Sequence, residues 1–173
     1  MSKNNKVALI FGSDTGMTEN ISEIIADKLD IDDIAFIDVY TISISDFSNY
    51  NILIFGIPTW YDGELQTDWD NFFPDFKKIN FSEKKVAFFS LGDQYGYPDN
   101  FVDGLGILAE VVLRNGGDLG GYWPNTGYDF NKSLGIAPNG MFYGLVLDED
   151  NQSDESNERI DQWILKLKKE FEL

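Results

Sequence analysis

The chain has 173 residues with no cysteine and no histidine, and 30 acidic against 13 basic side chains give it a formal net charge of −17 at pH 7. Without thiols or imidazoles there is no disulfide, no thiolate nucleophile, no cysteine-held iron–sulfur cluster and no histidine base or ligand, so demanding chemistry must come from a bound cofactor. The charge repels nucleic acid and anionic membranes and favours basic protein surfaces, while 43% hydrophobic residues over this length suit one α/β domain across residues 1–173.

The polar start Met1–Lys6 leads into only a short apolar run, Val7 to Phe11. That is too brief for a signal-peptide core or a membrane span, and a cytoplasmic protein without membrane insertion is expected. The first strand is expected over Lys6 to Phe11. A first helix follows, with Ile21, Ile24, Ile25 and Leu29 on one face at spacings of three and four. Strands are expected at Ile34 to Val39, Asn51 to Ile57 and Lys85 to Leu91, with a short helix over Asp68 to Phe76 between the last two. Leu105, Leu108, Ala109 and Val112 mark another helical face. The fifth strand reads as broken, Asp118 to Tyr122 and Met141 to Leu147, around a stretch at Gly120 to Gly140 rich in Gly, Asn, Tyr and Trp. A loop that long is usually functional or disordered, and Tyr122, Trp123, Tyr128 and Phe130 argue for packing. Ile160, Trp163, Ile164, Leu167 and Phe171 complete the pattern with a terminal helix.

Strands one, three and four are nearly continuous Val, Ile, Leu, Phe and Ala, as in parallel strands covered on both faces. Alternation of strand and helix predicts a three-layer, doubly wound α/β sandwich with a five-stranded parallel sheet of order 2-1-3-4-5 and an interrupted fifth strand. In such folds ligands bind beyond the carboxyl ends of the strands, at the switch point between strands one and three.

Three loops lie at that end. The first, Ser13-Asp14-Thr15-Gly16-Met17-Thr18, brings three hydroxyls and a glycine to a helix N-terminus, a nest of donors suited to a phosphate. An ordinary polar helix cap fits it about as well. The second, Pro58-Thr59-Trp60-Tyr61-Asp62-Gly63-Glu64, puts a Trp at the tip of a loop leaving a buried strand. It is exposed there unless it covers something flat, or it folds back on the core, a reading that suits Trp69 better than Trp60. The third, Leu91-Gly92-Asp93-Gln94-Tyr95-Gly96-Tyr97, presents two tyrosines. A ring at Tyr97 opposite Trp60 would form a slot for a planar heterocycle, with Asp93 able to accept an N–H at its edge. Together the loops indicate a planar, phosphorylated ligand.

At these residues the chain resembles the long-chain flavodoxins. The family's phosphate loop, Ser/Thr-x-Thr-Gly-x-Thr, matches Ser13, Thr15, Gly16 and Thr18; its Pro-Thr-Trp-x-x-Gly-Glu loop matches Pro58, Thr59, Trp60, Gly63 and Glu64; its Gly-Asp-Gln-x-Gly-Tyr loop matches Gly92, Asp93, Gln94, Gly96 and Tyr97. The broken fifth strand, with Gly121-Tyr122-Trp123-Pro124 and Gly127-Tyr128-Asp129-Phe130, distinguishes long-chain members, and the run Leu147 to Gln152 is also similar. The resemblance implies a flavodoxin-like fold and a low-potential one-electron carrier using non-covalently bound FMN, an electron-transfer protein and not an enzyme. It implies a cofactor site made of Ser13, Asp14, Thr15, Gly16, Met17 and Thr18 at the phosphate; Pro58, Thr59, Trp60, Tyr61, Asp62 and Gly63 on one side of the ring; Leu91, Gly92, Asp93 and Tyr97 on the other; and Asp150 toward the ribityl chain. Met17 stands where Lys or Asn is frequent, and Asp62 where an apolar or aromatic residue is frequent.

A receiver-type signalling domain shares the strand order but needs an Asp after strand three, where this chain has Ile57-Pro58-Thr59, and a Lys after strand five, where no Lys stands directly after Leu147. A flavodoxin-like quinone or nitro reductase needs an open flavin face, which Trp60 and Tyr97 would block. Family members serve ferredoxin-NADP reductase, photosystem I, nitrogenase or pyruvate oxidoreductases, so the resemblance implies a monomer in transient complexes with redox enzymes bearing basic surfaces. Asp62, Glu64, Asp68 and Asp70, with Asp93, Asp99 and Asp103, are expected to supply the acidic docking face.

Overall fold

Val7–Phe11 forms β1, every residue of it buried, and this continuous apolar run needs cover on both faces. The computed structural model describes residues 5–173; Met1 to Asn4 of the polar start lie outside the described residues. β1 runs parallel to β2 (Ala35–Asp38) on one side and to β3 (Ile52–Trp60) on the other. β3 then pairs parallel with β5 (Lys85–Leu91). The place beyond β5 is shared by two short strands. β6 (Asp118–Leu119) pairs with Lys85 and Val86, and β7 (Leu145–Leu147) with Phe89 to Leu91. Taking β6 and β7 as halves of one interrupted strand, and setting aside the two-residue β4 (Glu64–Leu65) that folds back on β3, the order is the 2-1-3-4-5 expected from sequence.

Alternation along the strands assigns the helices to faces. Phe55 points to α2 (Thr67–Phe76), edge-on to Trp69 and Phe76 with ring centroids 5.6 and 5.5 Å away. Ile57, on the same face, approaches the first turn of α3 (Asp103–Arg114), where Gly104 leaves room for it. On the opposite face Phe89 meets Trp163 of α4 (Ser156–Phe171), which packs beside α1 (Met17–Leu29). Gly56 is required there, since a Cβ would run into the Phe89 ring.

The expected elements shift at their ends. β3 outruns its expected end at Ile57 because the chain returns in a hairpin, pairing Trp60 with Glu64 across Tyr61, Asp62 and Gly63. The halves of the fifth strand are shorter than expected. Gly121, at φ 72, turns the chain off the sheet after β6, and Gly144 passes so close to the Phe88 carbonyl that no Cβ fits. The segment between them packs on its own aromatics: Phe142 is fully buried against Phe101, Tyr128 and Phe130, and Trp123 is 9% exposed.

Candidate functional site

At the carboxyl ends of β1, β3 and β5 lies an open cleft of about 270 Å³. Ser13, Asp14, Thr15, Met17 and Thr18 line it from the first loop, Pro58, Thr59, Trp60 and Tyr61 from the second, and Leu91, Gly92, Asp93 and Tyr97 from the third. Glu149 and Asp150 close one side. Of the residues expected from sequence, only Gly16, Asp62 and Gly63 are absent from the wall. Each acts through the backbone or stands just outside. Gly16 takes φ 87 so that α1 can start immediately after it, and its amide donates to Ser13 Oγ at 3.0 Å. Gly63, at φ 89, closes the hairpin, and a Cβ there would lie 2.7 Å from Asp103 Oδ2. Asp62 is exposed at the hairpin tip. Glu149 was not expected from sequence. Its only signal is its place in the run Leu147 to Gln152.

The first loop presents the N-terminus of a 13-residue helix. The opening N–H groups of such a helix have no acceptor within it, and its dipole favours an anion there. The wall contains no Lys or Arg, so an anion bound here must rely on N–H and hydroxyl donors. Asp14 turns its carboxylate away to accept from Gln66 Nε2 at 2.8 Å and Thr67 Oγ1 at 3.3 Å. Gln66 is fully buried and also accepts from Trp69 N at 3.2 Å, fixing the first loop to the start of α2. Nothing in the sequence singled out Gln66.

The two candidate tryptophans differ as expected. Trp69 is fully buried and donates from Nε1 to Gly56 O at 3.0 Å. Trp60 is half-buried on the cleft wall, and its Nε1 is buried with no hydrogen-bond partner. An unpartnered indole N–H is costly in a closed core. Beside an open cleft it marks a surface shaped for contact with something else. Tyr61 and Tyr97 are 59% and 41% exposed at the same cleft, too much apolar ring surface for a site left to water.

In the third loop Asp93 bends back on its own chain. Its Oδ1 accepts from Tyr95 N at 3.1 Å, Gly96 N at 2.8 Å and Asn151 Nδ2 at 2.8 Å. Burial pushes its carboxyl up, but the Gly96, Asn151 and Tyr95 donors outweigh that and hold it below the usual carboxylate value. Asp150 moves the other way, raised first by burial and then by the charges of Asp93 and Asp148. The acidic docking set needs one correction. Asp103 is 5% exposed and accepts from Asn100 Nδ2 at 3.1 Å and Leu134 N at 2.7 Å, so it anchors the first turn of α3 instead of facing solvent.

Known proteins share this arrangement. The sequence pattern of the family described as Flavodoxin matches residues 9–163. The flavodoxin of Nostoc sp. is 47% identical over 97% of this chain and 98% of its own. Flavodoxin 1 of Escherichia coli is 42% identical over 95% and 94%. The flavodoxin of Fusobacterium nucleatum, solved bound to flavin mononucleotide, superposes with a TM-score of 0.89 at 31% identity, covering 95% of this chain and 98% of that one. With the sheet order, the three loops and the split fifth strand in place, these likenesses over nearly the full length show that the chain belongs to the flavodoxin family.

Proposed function

We propose that the chain is a low-potential electron carrier that holds one FMN non-covalently in the cleft of the three loops. The observation that carries this is the cleft wall itself. A helix N-terminus with three hydroxyls sits at one end, and two exposed aromatic residues with an unpartnered indole N–H sit at the other. Ser13, Thr15 and Thr18, with the backbone N–H groups of the first loop, would hold the phosphate. Trp60 and Tyr97 would cover the ring, Gly92 and Asp93 would meet its pyrimidine edge, and Tyr61 and Asp62 would border its reactive edge. Bound there, FMN supplies one-electron chemistry that no side chain of this protein offers.

The protein's own groups do the rest. The aromatic walls keep water from the ring, and the cluster of Asp93, Glu149 and Asp150 opposes added negative charge, which keeps the potential low. The exposed carboxylates of Asp62, Glu64, Asp70 and Asp99 stand around the cleft. They suit short-lived contact between a monomeric carrier and basic faces of redox enzymes such as ferredoxin-NADP reductase, photosystem I, nitrogenase or a pyruvate oxidoreductase. No described helix is long and apolar enough to cross a membrane, and a cytoplasmic carrier fits these features.

The test is flavin titration of the apoprotein. One FMN per chain is expected, with affinity well above that for riboflavin. A hydrogen bond to a charged group contributes roughly 1.5 to 3 kcal/mol. Thr15→Ala should therefore weaken FMN by about tenfold or more and leave riboflavin nearly unchanged. Equal losses for the two ligands would misplace the phosphate site, and a protein that binds neither would refute the proposal.

A further inference from the structure

Behind the third loop stands a carboxylate with no counter-ion. Asp148 is fully buried, and none of the ion pairs among the described residues includes it. Amides surround it instead. Its Oδ2 accepts from Gln94 N at 3.1 Å and Gln94 Nε2 at 2.7 Å, and its Oδ1 from Asn151 N at 3.1 Å. Asn151 Nδ2 lies 3.0 and 2.9 Å from the two oxygens and, on its other side, 2.8 Å from Asp93 Oδ1. One nitrogen with two hydrogens thus joins a buried carboxylate to a carboxylate on the cleft wall. The network continues outward, because Gln94 Oε1 accepts from Asp129 N at 2.6 Å, which ties the third loop to the long insertion.

A buried anion without a cation is retained only where fixed donors replace its water. Its removal would leave four N–H bonds unpartnered, and removal of Asn151 would leave two carboxylates facing each other. Both groups therefore act on the cleft through other atoms. Asp148 holds Gln94 and so the backbone of the third loop, and Asn151 holds Asp93. All three donors to Asp93 converge on Oδ1, which leaves Oδ2 for a ligand.

We propose that Asp148 and Asn151 are positioning residues for the pyrimidine edge of the bound flavin, setting the Asp93 carboxylate and the third-loop backbone before the ligand arrives. This rests on the FMN reading of the cleft. Because the pyrimidine edge is common to FMN and riboflavin, the expected effect differs from that of the phosphate loop.

The experiment compares wild type, Asn151→Ala and the control Asn157→Ala, a residue exposed like Asn151 but bonded to neither Asp93 nor Asp148. It measures FMN and riboflavin affinity, and the carboxyl carbon shift of Asp93 against pH in the flavin-loaded protein. Asn151→Ala should weaken both ligands by the same factor, about tenfold or more. Asp93 should titrate at higher pH once one of its donors is gone, with Asp148 and Asp150 still its charged neighbours. Asn157→Ala should change neither reading. A loss confined to FMN, affinities within twofold of wild type, or an unmoved Asp93 titration would each overturn the proposal. If Asn151→Ala does not fold, Asn151→Ser carries the same test. Wild-type protein that binds neither flavin would instead refute the reading of the cleft and leave the network a structural one.

Discussion

Asp93 and Asp150 border the same cleft but bind protons in opposite senses. Asp93 is held below 3.8, its ordinary value, because its donors outweigh its burial. Its contribution to stability is present above the unfolded value and is lost as pH falls through the lower folded one. Asp150 is held above 3.8 by burial and by its like-charged neighbours, so its charge destabilises the fold at neutral pH and that cost is relieved as pH falls toward its ordinary value. In urea unfolding of the apoprotein, Asp150→Asn should therefore raise the midpoint at pH 7 and flatten the profile just above pH 4. Asp93→Asn should lower the midpoint at pH 7 and flatten the limb below about pH 3.8. The same profile from both variants would remove these assignments. Which residues were legible in the sequence follows the same physics. Ser13, Thr15, Trp60, Asp93 and Tyr97 sit at fixed offsets after buried strands, so chain order alone placed them. Gln66, Asp148 and Asn151 act across 52, 54 and 58 residues of chain. Asp103 is likewise committed to Leu134 across the insertion, and no spacing rule reveals such partners.

Among the elements, the strands were the most legible, because burial on both faces leaves uninterrupted apolar runs. Their ends were less so. The hairpin that lengthens β3 depends on Gly63 and on Tyr61 at φ 44, and the split of the fifth strand depends on glycines at Gly121 and Gly144 whose role is visible only beside their neighbours. The insertion was legible as something packed, though its attachment was not. It fastens to the third loop, where Asn131 N and Lys132 N both bond Pro98 O, at 2.8 and 3.0 Å, and it passes over α3 at Gly106. A Cβ at Gly106 would fall on the Leu134 backbone carbonyl. Gly106→Ala must push insertion and helix apart, an overpacking that costs roughly 1 to 3 kcal/mol. The unfolding midpoint should fall while FMN affinity changes by less than about threefold, since Gly106 is not itself part of the cleft wall. A midpoint equal to wild type would mean that the insertion rides loosely on α3.

Across the whole molecule, most basic side chains gather at one pole, where Asp30, Asp32, Asp33 and Glu83 partly offset them. Lys28 and Arg114 lie in the last turns of α1 and α3, Lys168 and Lys169 in the last turn of α4, Lys77 and Lys78 just after α2, and Lys84 and Lys85 at the start of β5. In a parallel sheet with returning helices all of these sit opposite the cleft. The cleft end keeps Asp62, Glu64, Asp68, Asp70 and Asp99. Such a molecule turns its cleft toward a basic partner before contact, over distances limited by a Debye length of about 8 Å at physiological salt. Stopped-flow electron transfer to a basic reductase should slow as salt rises. It should slow further for the Asp68→Asn, Asp70→Asn pair than for Asp30→Asn with Asp32→Asn at the far pole. Equal effects would mean that net charge alone steers the encounter. The tryptophans are sorted in a different way. Trp69, Trp123 and Trp163 each have the indole N–H bonded, to Gly56 O, Tyr128 Oη and Gly121 O, while that of Trp60 has no partner. Three of the four indoles are thus held by hydrogen bonds, and the fourth stands at the cleft. A planar ring filling the cleft would change the surroundings of the Trp60 N–H while the other three keep their partners, so its proton resonance reports by itself whether the cleft is filled.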